Sequence, residues 1–278
     1  MKIGYHIALR WGKLRRYIFG RRVRHLCRNA EAPGPELPFR VVSFSGQRDF
    51  LEQAASWISL LRHLGTPMEL ILVSDGSHHT ESLEILKSIH SRVRILDYRD
   101  FLHEDLPACV HRYAGQHPLG KKLAVYCGAA QFAPFVFADS DILFFPGASH
   151  FRNLVAQGAS LLYLPDCAPS YDQRLLREDS EKNNPVNSGF LYARNGFSFN
   201  LGLARFTAPD DPVSFFSEQT IVHLAVHQAM GEALPPDRYI MQANDQFAAD
   251  DHYVKPDTAI RHYISSIRTK MWRQVPLS

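Results

Sequence analysis

Phe135 to Pro146 reads FVFADSDILFFP. Four mostly apolar residues, Phe135 to Ala138, lead into Asp139-Ser140-Asp141, and a second apolar run, Ile142 to Phe145, stops at Pro146-Gly147. A short run rich in β-branched and aromatic residues and ended by Pro-Gly predicts a strand buried on both faces. Two carboxylates in the middle of such a strand are costly, because unpaired buried charge destabilises strongly. Something must neutralise them. A hard divalent cation held through carboxylate oxygens is the simplest answer.

Three readings compete for this stretch. In the first, Asp139 and Asp141 form a strand-end turn and cap nearby backbone amides. In the second, the first aspartate is the phosphoryl-accepting nucleophile of a haloacid-dehalogenase-like phosphohydrolase. That motif continues with Gly, Thr or Val and then Thr or Ser, whereas Ile142-Leu143 prolongs the apolar run. In the third, the pair holds a metal ion for a phosphate-bearing substrate. The rest of the chain has to separate them.

Upstream, Arg40 to Phe44 predicts a strand, followed by Ser45-Gly46 and a helix from Asp49 to about Leu64 with apolar residues at helical spacing. Glu69 to Val73 is a second strand, ended by Ser74-Asp75-Gly76-Ser77, then come a helix from Glu81 to His90 and a strand from Val93 to Leu96. This β-α-β-α-β order implies a parallel sheet with right-handed crossovers. Residues 97–118 read as irregular, and a helix from Lys121 to about Gln131 leads into the aspartate strand. Ligands of open parallel sheets bind beyond the carboxyl ends of the strands, where Ser45, Gly46, Asp75, Asp139 and Asp141 fall. Asp75 reads equally as a plain turn residue. No G-x-G-x-x-G opens the first helix and no P-loop is present, which argues against a dinucleotide fold or a P-loop NTPase.

Downstream, Leu161 to Pro165 is a strand ending at Asp166, and Pro185 to Ala193 is a buried strand entered through Asn187-Ser188-Gly189. A glycine there lets a ligand approach the backbone, and Asn offers both a donor and an acceptor. Val213 to Gly231 predicts a long helix with Glu218-Gln219 in its first turns. A strand from Arg238 to Met241 and an acidic loop through Asp250-Asp251 precede the closing segment around His262.

With 278 residues and 45% hydrophobic content, the chain suits one large α/β domain with an appendage. Four scattered cysteines without a C-x-x-C pair suggest neither a zinc cage nor a disulfide framework, and a reducing, cytoplasmic compartment is the expectation. Charge is uneven. Residues 1–28 hold nine Lys and Arg and no acid, so the other 22 basic residues face 28 Asp and Glu, a net −6. A basic nucleic-acid-binding body is therefore not expected. The basic leader, interleaved with Ile7, Trp11, Leu14, Tyr17 and Phe19, either lies on an anionic membrane surface or packs as a helix with its charged face solvated. The first alternative would place the protein peripherally on the inner face of a membrane. Residues 31–38, EAPGPELP, read as a linker.

Taken in order, F-A-D-S-D-I-L-F, N-S-G-F-L-Y-A-R, S-E-Q-T and R-H-Y-I-S-S-I-R-T-K-M-W resemble the GT-A glycosyltransferases related to glycogenin over roughly Phe39 to Trp272. The leader and linker, 1–38, lie outside the resemblance, so 39–278 is the expected GT-A domain: an α/β, Rossmann-like, mostly parallel sheet with helices on both faces and a small C-terminal acceptor-side region. In that family the late motif is H-[FY]-x-G-x-x-K-P-W. Here Ser265 stands in place of Gly and Met271 in place of Pro, and strict register from His262 puts Arg268 rather than Lys270 at the Lys position. A haloacid-dehalogenase-like phosphatase explains none of these downstream motifs.

The resemblance implies a hexosyltransferase-like enzyme using a nucleotide-diphospho-sugar donor and Mn2+ or Mg2+, with retention at the anomeric carbon. It implies Asp141 and His262 as metal ligands, with Asp139 on the metal or on the donor ribose. Lys270, or Arg268 in strict register, would face the diphosphate, and Lys122 would also reach the donor. Asp166, Asn187, Glu218 and Gln219 would line the sugar and acceptor side, and Ser188 and Gly189 the donor side. Glu218 would act as a base or stabilise an oxocarbenium-like centre; a carboxylate favoured by the helix dipole is the plainer role. The acceptor would be a glycan or lipid-linked molecule. The competing class is a nucleotide- or sugar-binding protein on the same fold that no longer turns over.

Overall fold

The computed structural model describes residues 3–30, 34–206 and 214–276. In chain order the elements are α1 (Ile3–Arg28), β1 (Arg40–Ser45), α2 (Phe50–His63), β2 (Leu70–Ser74), α3 (Thr80–Lys87), β3 (Val93–Asp97), α4 (Ala108–Gln116), α5 (Pro118–Gly128), β4 (Phe135–Ala138) and β5 (Ile142–Phe144). Then follow α6 (Ser149–Ala156), β6 (Leu161–Pro165), β7 (Val186–Ala193), α7 (Asn200–Arg205), α8 (Ser217–Gln228), β8 (Glu232–Ala233), β9 (Tyr239–Ile240), β10 (Ile260–His262) and α9 (Arg268–Gln274). The predicted start of the 213–231 helix and the first three linker residues, 31–33, lie outside the described residues.

The main sheet has the order β3-β2-β1-β4-β7-β6-β8. Strands β1 to β4 run parallel, as the alternation of strands and helices predicts, and β7 alone is antiparallel to its neighbours β4 and β6. Successive residues feed two cores. Val41, Leu70, Leu72 and Val136 face one side, and Val42, Ile71, Val73 and Phe137 the other. That is why these strands are continuous apolar runs rather than alternating ones. The fold class is therefore the expected open, mostly parallel α/β sheet covered on both faces.

The aspartate stretch departs from expectation in an instructive way. It is not one strand with charges at its middle. β4 belongs to the main sheet, β5 to a second, three-stranded sheet of order β5-β10-β9, and Asp139-Ser140-Asp141 turns between them. The two apolar runs are buried in different sheets, so the carboxylates stand where the chain changes sheet. Residues 97–118 are likewise not irregular. They contain α4, which buries Val110, Tyr113 and Ala114 at i, i+3 and i+4. Its nine residues between Pro107 and Pro118, with Gly115 inside, hide that period.

The basic leader is a helix with its inner face in the protein core. Ala8, Gly12, Phe19, Val23 and Cys27 of α1 are buried, and Phe19 packs on Trp272 of α9 with ring centroids 5.2 Å apart. Gly12 permits the close approach, since a Cβ there would lie 2.3 Å from the Thr269 carbonyl oxygen. Arg15 donates to the carbonyls of Trp272 and Val275 at 2.5 and 2.8 Å, satisfying the carboxyl end of α9. Arg16 makes a two-pronged pair with the buried Glu52 of α2 at 2.7 and 2.9 Å.

Candidate functional site

Three backbone registers assemble the site. β4 pairs with β7 so that Ala138 lies opposite Phe190, and the Asp139 amide continues the ladder to the Gly189 carbonyl at 2.8 Å. β5 pairs antiparallel with β10 so that Ile142 lies opposite His262, and the Tyr263 amide donates to the Asp141 carbonyl at 2.9 Å. Finally, the β6–β7 register jumps from Tyr163–Leu191 to Leu164–Asn187, leaving Ser188, Gly189 and Phe190 as extra residues on β7. A bulge of this kind re-aims side chains beside a site. It carries Asn187-Ser188-Gly189 under the two aspartates.

Asp139, Asp141 and His262 converge, each offering one ligand atom within 4.8 Å of the others. His262 Nε2 stands 3.0 Å from Asp141 Oδ1 and 3.9 Å from Asp139 Oδ2. Its other nitrogen is committed. Asn187 Oδ1 accepts from the Gly189 amide at 2.9 Å, which fixes the orientation of the Asn187 amide, and the same oxygen lies 2.9 Å from His262 Nδ1. Nδ1 therefore carries a proton and donates, and Nε2 is the ring nitrogen turned toward the carboxylates. A ring nitrogen bonded to an outer acceptor is the usual support of a metal-ligating histidine. The donor set, two carboxylates and one imidazole, fits a divalent cation such as Mn2+ or Mg2+.

Gly189 has a different reason from the expected one. A Cβ there would sit 2.3 Å from His262 Cε1, so the glycine makes room for the imidazole rather than for a ligand. Asp166 anchors the outer end of the chain: its Oδ2 accepts from Asn187 Nδ2 and from Gln219 Nε2, each at 3.1 Å. Asp166, Asn187, Gln219 and His262 thus form one hydrogen-bonded line ending at the candidate metal cluster.

On the other side, Lys122 of α5 reaches Asp139 at 2.9 Å, Ser188 Oγ at 3.4 Å and Glu218 at 3.8 Å. Burial works against its charge, but Asp139 and Glu218 outweigh burial and raise its pKa above the ordinary value. Glu218 is 2% exposed and accepts from Ser188 Oγ at 3.0 Å, while its Oε1 has no hydrogen-bond partner among the described residues. Burial pushes its pKa up to about 7, with Lys122 opposing and Asp139 reinforcing the shift. The base role read from the sequence does not suit it: Glu218 lies behind Lys122 and Ser188, whereas Gln219 is partly exposed. Tyr126, one helical turn beyond Lys122, donates to the Ser188 carbonyl and was not legible as part of the site.

The two candidates for the diphosphate position part company. Arg268 Nη2 donates to Asp141 Oδ2 at 2.5 Å and its Nη1 to Asp49 Oδ1 at 2.9 Å. Burial would raise the Asp141 carboxyl, yet His262 and Arg268 hold it well below the usual carboxylate range. Lys270 instead is 1% exposed and spends its ammonium on the Asp245 and Asp250 carbonyls and the Asp245 carboxylate, at 2.6, 2.7 and 2.6 Å. Its ammonium is used within the scaffold, and Arg268, the residue at the Lys position in strict register from His262, is the cation beside Asp141. Asp49, read only as a helix start, is the second carboxylate on that guanidinium.

Ser45, Gly46 and Asp75 meet at the carboxyl ends of β1 and β2. Asp75 Oδ1 accepts from the Ser77 amide and hydroxyl at 2.8 and 2.6 Å, so it is a turn residue. A Cβ on Gly46 would strike its carboxylate at 2.3 Å. Lys121 donates to the Asp75 carbonyl at 2.8 Å, while its neighbour Lys122 serves Asp139. One turn of α5 thereby joins the two strand-end groups.

No protein-family model matches the chain, and comparison with curated proteins returns no match. Solved structures do match. The galactosyltransferase LgtC, in complex with donor and acceptor sugar analogues, is 11% identical, with a TM-score of 0.50 over 81% of this chain and 87% of its own. The bifunctional glycosyltransferase WbbM is 12% identical, with a TM-score of 0.56 over 88% of this chain and 51% of its own. The apo form of the glycosyltransferase GlyE of Streptococcus pneumoniae TIGR4 is 13% identical, with a TM-score of 0.51 over 84% and 59%. The chain thus spans only about half of WbbM. At such identities the likeness carries the architecture, and the architecture is the GT-A fold.

Proposed function

We propose that the protein is a metal-dependent glycosyltransferase that moves a sugar from a nucleotide-diphospho-sugar to a carbohydrate or lipid-linked acceptor. The observation that carries this reading is the imidazole of His262, held through Nδ1 by Asn187 so that Nε2 faces Asp139 and Asp141. A protein that only binds nucleotides needs no such oriented ligand beside the fold's donor crevice. Asp139, Asp141 and His262 would hold the ion, with Mn2+ suiting the mixed carboxylate and imidazole shell better than Mg2+. The ion supplies positive charge to the departing nucleoside diphosphate.

The chain's own residues do the rest. Arg268, fixed by two carboxylates, adds a preorganised cation beside the ion ligands. Lys122 holds Asp139 in place, and Asp166, Asn187 and Gln219 offer a polar wall for sugar hydroxyls. Retention at the anomeric carbon is what the glycogenin resemblance implies.

Calorimetric titration of UDP and GDP with Mn2+, repeated with excess chelator, tests the reading. Binding should require the metal, and slow donor hydrolysis should accompany it in a panel of nucleotide-sugars. Equal affinity with and without chelator would overturn it.

A further inference from the structure

The inner face of α1 is spoken for by the core; its outer face is not. Ile3, Ile7, Trp11, Leu14 and Tyr17 are between 42 and 75% exposed. Their spacing of four, four, three and three places them on one stripe of the helix, about 20 Å long at 1.5 Å per residue. They lie opposite the buried residues Ala8, Gly12, Phe19, Val23 and Cys27. A contiguous exposed stripe of this kind marks an interaction site.

Charge accompanies it. Arg15 and Arg16 are used inward, and Arg24 pairs with Glu81 at 2.8 Å. Arg10, Lys13, Arg21, Arg22 and Arg28 are exposed and have no hydrogen-bond or ion-pair partner among the described residues. Residues 1–28 contain no acid at all, whereas the remainder of the chain is net −6. The helix therefore presents a large apolar stripe in its first half and uncompensated cations beside and beyond it. No helix among the described residues is long and apolar enough to cross a membrane.

We propose that this outer face of α1 docks the protein flat on an anionic lipid bilayer, with the aromatic and aliphatic stripe entering the headgroup boundary and the cations meeting lipid phosphates. An amphipathic basic helix lies in the interface in this way, and its attraction adds with each nearby Lys or Arg. A second copy of the chain fits the face poorly, because a two-fold contact would press the unpaired cations together. The surface of such a bilayer on the inner face of a membrane matches both components. The proposal is independent of the glycosyl-transfer reading.

Deleting α1 would strip Phe19 and Arg15 from the core, so point changes on the exposed face are the sound test. The full chain should float with phosphatidylglycerol-containing vesicles at low salt, far less at high salt, and not with pure phosphatidylcholine. Ile7→Ser with Trp11→Ser, and separately Arg21→Glu with Arg22→Glu and Arg28→Glu, should each weaken partitioning by at least about tenfold. Both should keep the parent Tm and metal-dependent nucleotide binding. Absence of the full chain from anionic vesicles at low salt would overturn the proposal, as would variants that bind like the parent. So would a Trp11-dependent dimer in sedimentation with no vesicle binding, which would assign the face to a second copy.

Discussion

Arg261 and His262 are neighbours on β10, and their side chains leave opposite faces of the strand into two acidic clusters. On the Arg261 side, each acid has its own cation: Arg261 meets Asp251, Lys270 meets Asp245 and Arg273 meets Asp250, at 3.4, 2.6 and 2.7 Å. On the His262 side, Asp139 and Glu218 share Lys122, and Asp49 and Asp141 share Arg268, with Arg48 also on Asp49 at 3.4 Å. The first cluster is balanced and needs nothing from outside. In the second the acids share their cations, and it is the one whose histidine turns a ring nitrogen toward two carboxylates. Similar residues thus build both clusters, and what separates them is the pairing: one cation to each acid on one side, cations shared between acids on the other.

The largest effects should come from breaking each cluster in turn. Asp141→Asn removes a charge from the ion seat, so transfer should fall by at least about a thousandfold, roughly 4 kcal/mol of lost transition-state stabilisation. Its Tm should fall as well, because the fold stabilises the ionised Asp141 through His262 and Arg268, but the folded fraction should still lack transfer. Lys270→Met should cost stability alone. Leaving the buried Asp245 unpaired should cost about 3–5 kcal/mol of stability, while the folded fraction keeps metal-dependent UDP binding. Thermal melts and turnover on both variants check this. If both variants lose stability and activity in the same proportion, the two clusters do not differ in kind.

The sharing of cations is open to titration at Glu218, which shares Lys122 with Asp139. Its folded pKa of about 7 stands above the ordinary 4.5. The folded chain therefore keeps a proton that the unfolded chain releases. The associated stability is fully present below about pH 4.5 and is lost as pH rises through about 7, on the order of 3 kcal/mol at most. Glu218→Gln keeps the neutral shape at every pH, so its Tm advantage over the parent should grow between about pH 5 and pH 8 in metal-free buffer. A constant difference across that range would show that Lys122 fully compensates Glu218 and that sharing it with Asp139 costs nothing.

The sheet was legible because its strands are buried on both faces, which writes them as apolar runs such as Leu70 to Val73 and Phe135 to Ala138. Asp139 and Asp141 were legible as candidates because carboxylates between two apolar runs need a reason to be there, whereas His262 came only from the resemblance of the late motif. What escaped the sequence depends on where the chain goes in space. The FVFADSDILFFP stretch shows no mark of changing sheets at Ser140, since both halves are equally apolar. Nothing local separates Arg268 from Lys270, two residues apart on α9; only the helix's orientation turns one to Asp141 and buries the other in the acidic loop. Glu218 and Gln219 are adjacent on α8, so which of them faces the crevice is a matter of a 100° rotation.

The smallest expected effect concerns the link between the two clusters. The turn from β10 to α9 joins His262, which faces Asp139 and Asp141, to Arg268, which reaches Asp141, and it passes through Ser265. That residue has φ of +45°, in the left-handed region that favours glycine, and it stands where the glycogenin-like motif has Gly. Its side chain is exposed, and no hydrogen bond from it is recorded among the described residues to offset the backbone cost. An ordinary residue in this region costs about 1–2 kcal/mol, and glycine's greater freedom in the unfolded chain returns about half of that. Ser265→Gly should therefore stabilise by roughly 0.5–1 kcal/mol without changing metal-dependent nucleotide affinity. Denaturant unfolding with an unchanged m-value reads the gain. A loss of stability would mean that the turn is not held in the left-handed region. A fall in metal affinity at unchanged stability would mean instead that stiffness at this one residue helps to hold His262 and Arg268 on opposite sides of Asp141.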